Sequence, residues 1–456
     1  MPAIATGPTH LDGIELETWL LKFDKAGTCI SLQTRAALLE RLRATPDTPI
    51  VLFSHGWNNE FGDATRLYTA FLAQLQSHST QFAAGTLRPI FVGVIWPSTW
   101  LSFDTGPQIG APPAPNAADP ENRFKGELTH ALPAPAIRER LHALLDMPWL
   151  DKTMGEELAG LLAQALQAGP DAGPPGTEDA SKPEDGDLMA GTLALQAATG
   201  PASASDELED IGTVDGAAAR LQDAGVLGFL DPRRALRVAS VYLMKDRAGT
   251  VGWHGVAALV HDLLAASNAP LHLVGHSYGA KVVLSALAGA RLPRPVSSAL
   301  LLEPAVSHLC FAAQSPINGG KGGYHDVLST IEDSIVMTYS AHDFPLHEIF
   351  HHALQRPGDV AEMKVAGTAT AAGAPPSVYA ALGGYGPRGA GELLREPLPE
   401  PGAAIELPAS VVPVAFDGTL ARRIAGHGDV ATPYTAWLLA AQMLAQGAAH
   451  GHRVAH

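Results

Sequence analysis

Apolar positions along this chain follow two alternating periods. TPIVLFSHGWN, residues 48–58, passes from a turn signal into consecutive β-formers. That is the pattern of a strand buried on both faces and running into a glycine-containing loop. From Asp63 to His78 the period changes, with Leu67, Ala70, Phe71 and Leu75 at helical spacing. PIFVGVIW, Pro89–Trp96, is a second strand, stopped by Pro97. Regular patterning returns at Leu236, where Leu236, Ala239, Leu243 and Met244 mark a helix, followed by another over 255–266. Strands are then expected at Leu271–Val274, Ala299–Leu302, Ser334–Tyr339 and Val411–Phe416. Helices are expected through Ala280 to Leu287, over His347–Leu354 and over Thr432–Leu444, and 366–410 reads as loop. Strands alternating with helices predict an α/β fold, a mostly parallel sheet with helices on both faces.

The stretch 99–235 breaks this rhythm. It carries 22 acidic and 9 basic side chains, so −13 of the chain's formal −16 lies there. Two amphipathic helices are expected within it, Ala136–Trp149 and Thr153–Ala168. Residues 169–216 have few large apolar side chains to offset ordering entropy, and mobility is expected of them. The chain therefore divides into an N-terminal extension (1–47), a first core part (48–98), a large acidic insertion (99–235) and a second core part (236–456). The charge balance argues against nucleic acid as the main partner. The insertion is open to a protein partner. No apolar run is long enough to span a bilayer, and MPAIATGPTHLDG has neither a basic n-region nor an apolar h-region. A cytoplasmic location is expected, with export by a signal-independent route left open. The only cysteines, Cys29 and Cys310, read equally as two thiols or one bridge.

The candidate chemistry begins at Gly275-His276-Ser277-Tyr278-Gly279, a match to G-x-S-x-G. In so glycine-rich a chain the bare motif arises by chance about 0.2 times. Its setting adds weight: an apolar strand runs into it and an apolar-periodic helix leaves it, the strand–turn–helix that lifts a nucleophile above a sheet edge. On these residues the chain resembles the α/β-hydrolase fold, in its serine esterase and lipase branch. The resemblance covers about 48–97 and 236–445.

That resemblance implies a serine nucleophile, then an acid, then a histidine base in chain order. Ser277 is the nucleophile. Asp343, just beyond the strand ending at Tyr339, is the expected acid, and Glu303, at the end of ALLLEPAV, is the alternative. His427, between glycines 426 and 428 and ahead of the last helix, is the expected base. The N–H of Tyr278 and, by likeness of His55-Gly56-Trp57 to the fold's His-Gly loop, the N–H of Trp57 would bind an oxyanion. His276 is expected to pack or hydrogen-bond under the turn, and the Tyr278 ring to line a pocket. Trp57, Trp96, Trp100 and Phe344 are candidate pocket walls, core packing being equally open to each. Asp429 and Thr432 are both candidate caps of the final helix. The implied activity is cleavage of a carboxylic ester, on a small or lipid-like substrate, through an acyl-enzyme and without a cofactor. The insertion would form a cap or lid.

A competing motif is His347-Glu348-Ile349-Phe350-His351, a formal HExxH able to place two imidazoles on one helix face for zinc. It lacks an evident third ligand, and Leu354 stands where the longer pattern wants glycine. Besides the serine ester hydrolase, two alternatives remain: a non-catalytic binding protein on the same fold, and a zinc hydrolase using His347, Glu348 and His351.

Overall fold

A computed structural model describes residues 7–56, 61–79, 88–98, 120–168, 184–199, 230–314, 320–353, 379–408 and 411–454. Eight strands form one sheet: β1 (Thr18–Lys22), β2 (Ile50–Ser54), β3 (Ile90–Ile95), β4 (Leu271–His276), β5 (Ser298–Leu302), β6 (Ile335–Tyr339), β7 (Leu393–Arg395) and β8 (Pro413–Asp417). Their order is β1-β3-β2-β4-β5-β6-β8-β7, and each pairing is parallel. β4 and β5 are buried at every position. A parallel sheet covered on both faces has this uniformly apolar signature.

Successive side chains divide between the faces. Leu52, Val92, Leu273 and Leu301 enter a core with the helices α1 (Leu32–Ala44), α7 (Pro232–Thr250), α8 (Ala257–Ala266) and α9 (Tyr278–Gly289). Phe53, Phe91, Val274 and Leu300 enter the other, with α2 (Phe61–Ser79) and the final helix α10 (Pro433–Val454). A π-helical turn, Val251–Val256, joins α7 to α8.

Three elements depart from expectation. The stretch 1–47, expected as an extension, supplies an edge strand and a helix to the same sheet, with Trp19 and Leu21 in its core. β7 is a three-residue edge strand within the expected loop, too short to show a period. Residues 185–199, inside the stretch expected to be mobile, form a helix whose Leu188 and Leu195 are buried.

Within the insertion, α3 is Pro120–Ala131, α4 is Pro135–Leu145, α5 is Lys152–Gln167 and α6 is Asp185–Thr199. Leu128, Leu144, Leu158, Leu162 and Leu188 join the core that α7 shares with the sheet, so these helices add to that core. Residues 169–183 and 200–216 lie outside the described residues. Cys29 and Cys310 are both buried and are not joined in a disulfide. Among the described residues no helix is long and apolar enough to cross a membrane.

Candidate active site

β4, β5, β6 and β8 are consecutive neighbours in the sheet, all pointing the same way. Whatever follows each strand therefore arrives at one edge. Ser277 follows β4, Glu303 follows β5, Asp343 follows β6 by a short loop, and His427 follows β8 by a longer one. Such a carboxyl edge is where open α/β sheets gather polar side chains.

Ser277 occupies a backbone conformation that L-residues rarely adopt, φ 54° and ψ −125°. The surroundings over-determine it. Its N–H donates to the Leu302 carbonyl (3.0 Å), and its own carbonyl accepts from Ala280 and Ala305 (3.0 and 3.2 Å). A β-carbon at Gly279 would lie 2.0 Å from the Ser54 carbonyl oxygen, and one at Gly56 would lie 2.6 Å from the Ser277 β-carbon. Close approach of the β2 end to the turn is therefore possible only without side chains at these positions. α9 begins at Tyr278, so the positive end of its dipole faces the Ser277 hydroxyl.

The hydroxyl finds an imidazole. Ser277 Oγ is 2.9 Å from His427 Nε2, and His427 Nδ1 is 2.7 Å from Asp343 Oδ2. A carboxylate only accepts, so Nδ1 carries the imidazole proton and Nε2 is left to accept from the serine. Asp343 is fully buried, and the His427 side chain retains 14 % exposure. The second Asp343 oxygen accepts from the Leu346 N–H (3.0 Å), and the Asp343 carbonyl accepts from His347 (2.8 Å). The carboxylate is thus fixed by the start of the turn that follows it.

His427 is tethered through its backbone. His276 Nε2–H donates to the His427 carbonyl oxygen (2.8 Å), the two rings lying 5.1 Å apart. Burial, reinforced by His427 and His55, pushes the His276 pKa down to about 3, so this ring stays neutral. Ser340 Oγ donates to the Ile424 carbonyl (3.0 Å), and Ala425 N–H donates to Asp429 (3.0 Å). Asp429 therefore serves the loop that carries His427, and Thr432 caps the final helix by accepting from Thr435 N–H (3.2 Å). Neither Ser340 nor Asp429 carries a motif that would single it out for this work.

His55 is a neutral wedge beneath the site. Its Nδ1–H donates to the Gly56 carbonyl (2.7 Å), its Nε2 accepts from Trp96 N–H (3.2 Å), and burial lowers its pKa to about 4. Trp96 stacks on it at 5.6 Å and is buried, so it is a core residue and no pocket wall. The Tyr278 ring is likewise buried and not in a pocket: its hydroxyl donates to the Val241 carbonyl (3.3 Å), pinning α9 to α7. Phe344, beside Asp343, stands half exposed. Trp57 and Trp100 lie outside the described residues.

The imidazole pairs with Asp343. Glu303, at the end of the neighbouring strand β5, is fully buried, with φ 43° and its carboxyl within reach of the Asp343 charge. The sequence offered the two carboxylates as rivals, and the fold brings both to one place.

The HExxH residues take another course. Pro345–Ile349 is a π-helical turn that passes into Phe350–Ala353, so the two histidines do not share one regular helix. His347 Nδ1–H donates to its neighbour Glu348 (2.6 Å), and its ring stacks on Tyr385 at 4.4 Å. Among the described residues no three His, Cys, Asp or Glu side chains converge as a metal site.

No family model, curated protein or solved structure matches this chain.

Proposed function

We propose that this protein is a serine hydrolase of carboxylic esters, similar in fold and chemistry to the α/β-hydrolases of the esterase and lipase type. One observation carries the reading: a serine in strained left-handed backbone, 2.9 Å from an imidazole that is itself 2.7 Å from a buried carboxylate. A serine hydroxyl needs a neighbouring base to act as a nucleophile near neutral pH, and the base needs its tautomer fixed.

Ser277 Oγ attacks the ester carbonyl as its proton passes to His427 Nε2. The tetrahedral intermediate collapses when Nε2–H protonates the departing alkoxide, leaving an acyl-serine and a free alcohol. A water molecule then gives a proton to Nε2 and attacks the acyl carbon. Collapse of the second intermediate returns that proton to Ser277 and frees the acid. Asp343 holds the Nδ1–H tautomer and stabilises the imidazolium without taking its proton. The Tyr278 N–H, at the positive end of α9, is a donor for the developing oxyanion, with Trp57 the second by resemblance.

A cap role for the insertion is part of the same proposal. Helix α6 packs against residues 345–353, the segment directly after the acid. A helix there could restrict access to the carboxyl edge, and its apolar surface suits acyl or lipid-like esters.

The test is turnover of short p-nitrophenyl esters and covalent labelling by a fluorophosphonate. Wild type is expected to do both. Ser277→Ala is expected to lose labelling and at least about 10³-fold in kcat while keeping its circular dichroism spectrum and Tm. Absence of both labelling and turnover in folded wild type would leave a binding role on the same fold as the better reading.

A further inference from the structure

Glu303 is a buried ionisable group that the mechanism above does not use. It is fully buried, at the exact turn where β5 ends and the chain bends toward the site. Its backbone is left-handed, φ 43°, and Gly383 is packed so tightly against it that a β-carbon there would lie 2.4 Å from the Glu303 carbonyl carbon. The backbone that carries the side chain is thus tightly packed.

Neither Glu303 carboxyl oxygen meets a hydrogen-bond donor among the described residues. The groups that face it come from three strand ends. Asp343, after β6, lies against it, and Asp417, ending β8, adds a second negative charge. Thr338 of β6 accepts the Glu303 N–H through its hydroxyl oxygen (3.1 Å) and favours the charged form of the carboxyl, against the larger opposing effects of burial and Asp343. Burial, then Asp343, dominate and push the Glu303 carboxyl well above the usual carboxylate range. Two carboxylates facing each other in a dry site are both acceptors and repel. With one proton between them, the same two groups form a short charge-assisted hydrogen bond.

We infer that Glu303 is a positioning residue held as the neutral acid, whose O–H donates to the Asp343 carboxylate so that the two carboxyls form one pair with a single negative charge. The balance of bonds fits. One Asp343 oxygen accepts from His427 and the other from Leu346 N–H, and each keeps a lone pair for a further donor. Glu303 therefore supports Asp343 from behind and draws off part of the charge that the imidazole sees. Its catalytic meaning rests on the hydrolase reading, but the pair itself does not.

The first test needs no activity. Infrared spectra of wild type at pH 7–8 are expected to show a protonated-carboxyl C=O band that Glu303→Gln removes. Chemical denaturation supplies a second readout. A carboxyl protonated in the folded state and ionised in the unfolded state makes stability fall as pH rises above the unfolded value, toward tenfold in the folding constant per pH unit. Glu303→Gln lacks that loss, so its advantage over wild type is expected to grow from pH 5 to pH 8. No such band, with parallel stability profiles, overturns the inference.

The second test reads catalysis. Glutamine keeps an N–H donor toward Asp343, and leucine has none. Glu303→Leu is expected to move the acidic limb of kcat/KM to higher pH, because an unshared carboxylate stabilises the imidazolium more. Glu303→Gln is expected to restore the limb. Coincident limbs in the two variants overturn the positioning role. A wild-type protein with the band and no ester turnover overturns the hydrolase reading and supports the pair.

Discussion

Two glycine-flanked turns meet at the candidate site, and they are held by different means. At the elbow, β-carbons on Gly56, Gly275 and Gly279 would all fall within 2.6 Å of neighbouring atoms. At the base loop, a β-carbon on Gly428 would meet nothing within 4 Å, and one on Gly426 only the His342 carbonyl at 4.0 Å. The elbow is buried, whereas Ala425, Gly428 and Asp429 are exposed. Ser277 is therefore placed by steric exclusion and His427 by a handful of hydrogen bonds. A steric device fails with the fold, and a polar tether fails alone. Damage to the two turns should separate accordingly.

The largest effect belongs to Gly279→Ala. The added methyl would lie 2.0 Å from the Ser54 carbonyl oxygen, with the His55 carbonyl at 2.4 Å. Backbone cannot yield as a flexible side chain can, so β2 and α9 must part. A loss of more than about 4 kcal/mol is expected, with little soluble folded protein. Denaturation midpoints measure it. A midpoint within 1 °C of wild type would show that the elbow is not sterically fixed, and the comparison would collapse.

Acid should strike the elbow next. His55, His272 and His308 are each pushed down to about 4 by burial, and His276 to about 3. The unfolded chain takes up protons near the ordinary histidine value while the folded chain does not. The contribution of each neutral ring is therefore complete above that value and is lost as pH falls from about 6.5 toward 4, by roughly 3 kcal/mol for one such histidine. Tm is expected to drop steeply between pH 6.5 and 4.5. His272→Leu, which removes the ring bonded to Ser298 Oγ at 2.8 Å, should flatten the slope by about one proton. An unchanged Tm across that window contradicts the neutral, buried state of these rings.

The elbow was legible in the sequence because everything that defines it is local: an apolar strand, a five-residue turn and an apolar helix. β1 was not legible, because TWLLK is short and gains its strand character from pairing with β3, 73 residues further along the chain. The order of nucleophile, acid and base could be written down from the resemblance, but not the pairing of the two carboxylates. Glu303 and Asp343 are 40 positions apart, and only the β5–β6 adjacency brings them face to face. The same holds for His276. Its place beside the serine is plain, whereas its bond to the His427 carbonyl depends on how a loop 151 residues away returns to the sheet.

That bond is where the two turns touch, and breaking it sharpens the comparison. His276→Phe keeps a flat ring in the elbow and removes the donor to the His427 carbonyl. The elbow should hold, because its glycines and backbone bonds are untouched. The base loop should lose one of its few tethers, leaving the imidazole less often within reach of Ser277. On the hydrolase reading, kcat is expected to fall about tenfold with KM nearly unchanged. An equal loss in kcat and in denaturation midpoint would show that His276 holds the fold and not the base.

The smallest expected effect lies on the open side. At Gly428 the backbone is not left-handed, and an added methyl meets empty space. Gly428→Ala should restrict the unfolded chain more than it strains the folded one, giving a stability change of about +0.5 kcal/mol and ester turnover within twofold of wild type. Steady-state kinetics beside a denaturation curve decide it. If turnover collapses while the midpoint holds, the base loop must be placed by steric contacts as strict as those at the elbow, and the distinction between the two turns disappears.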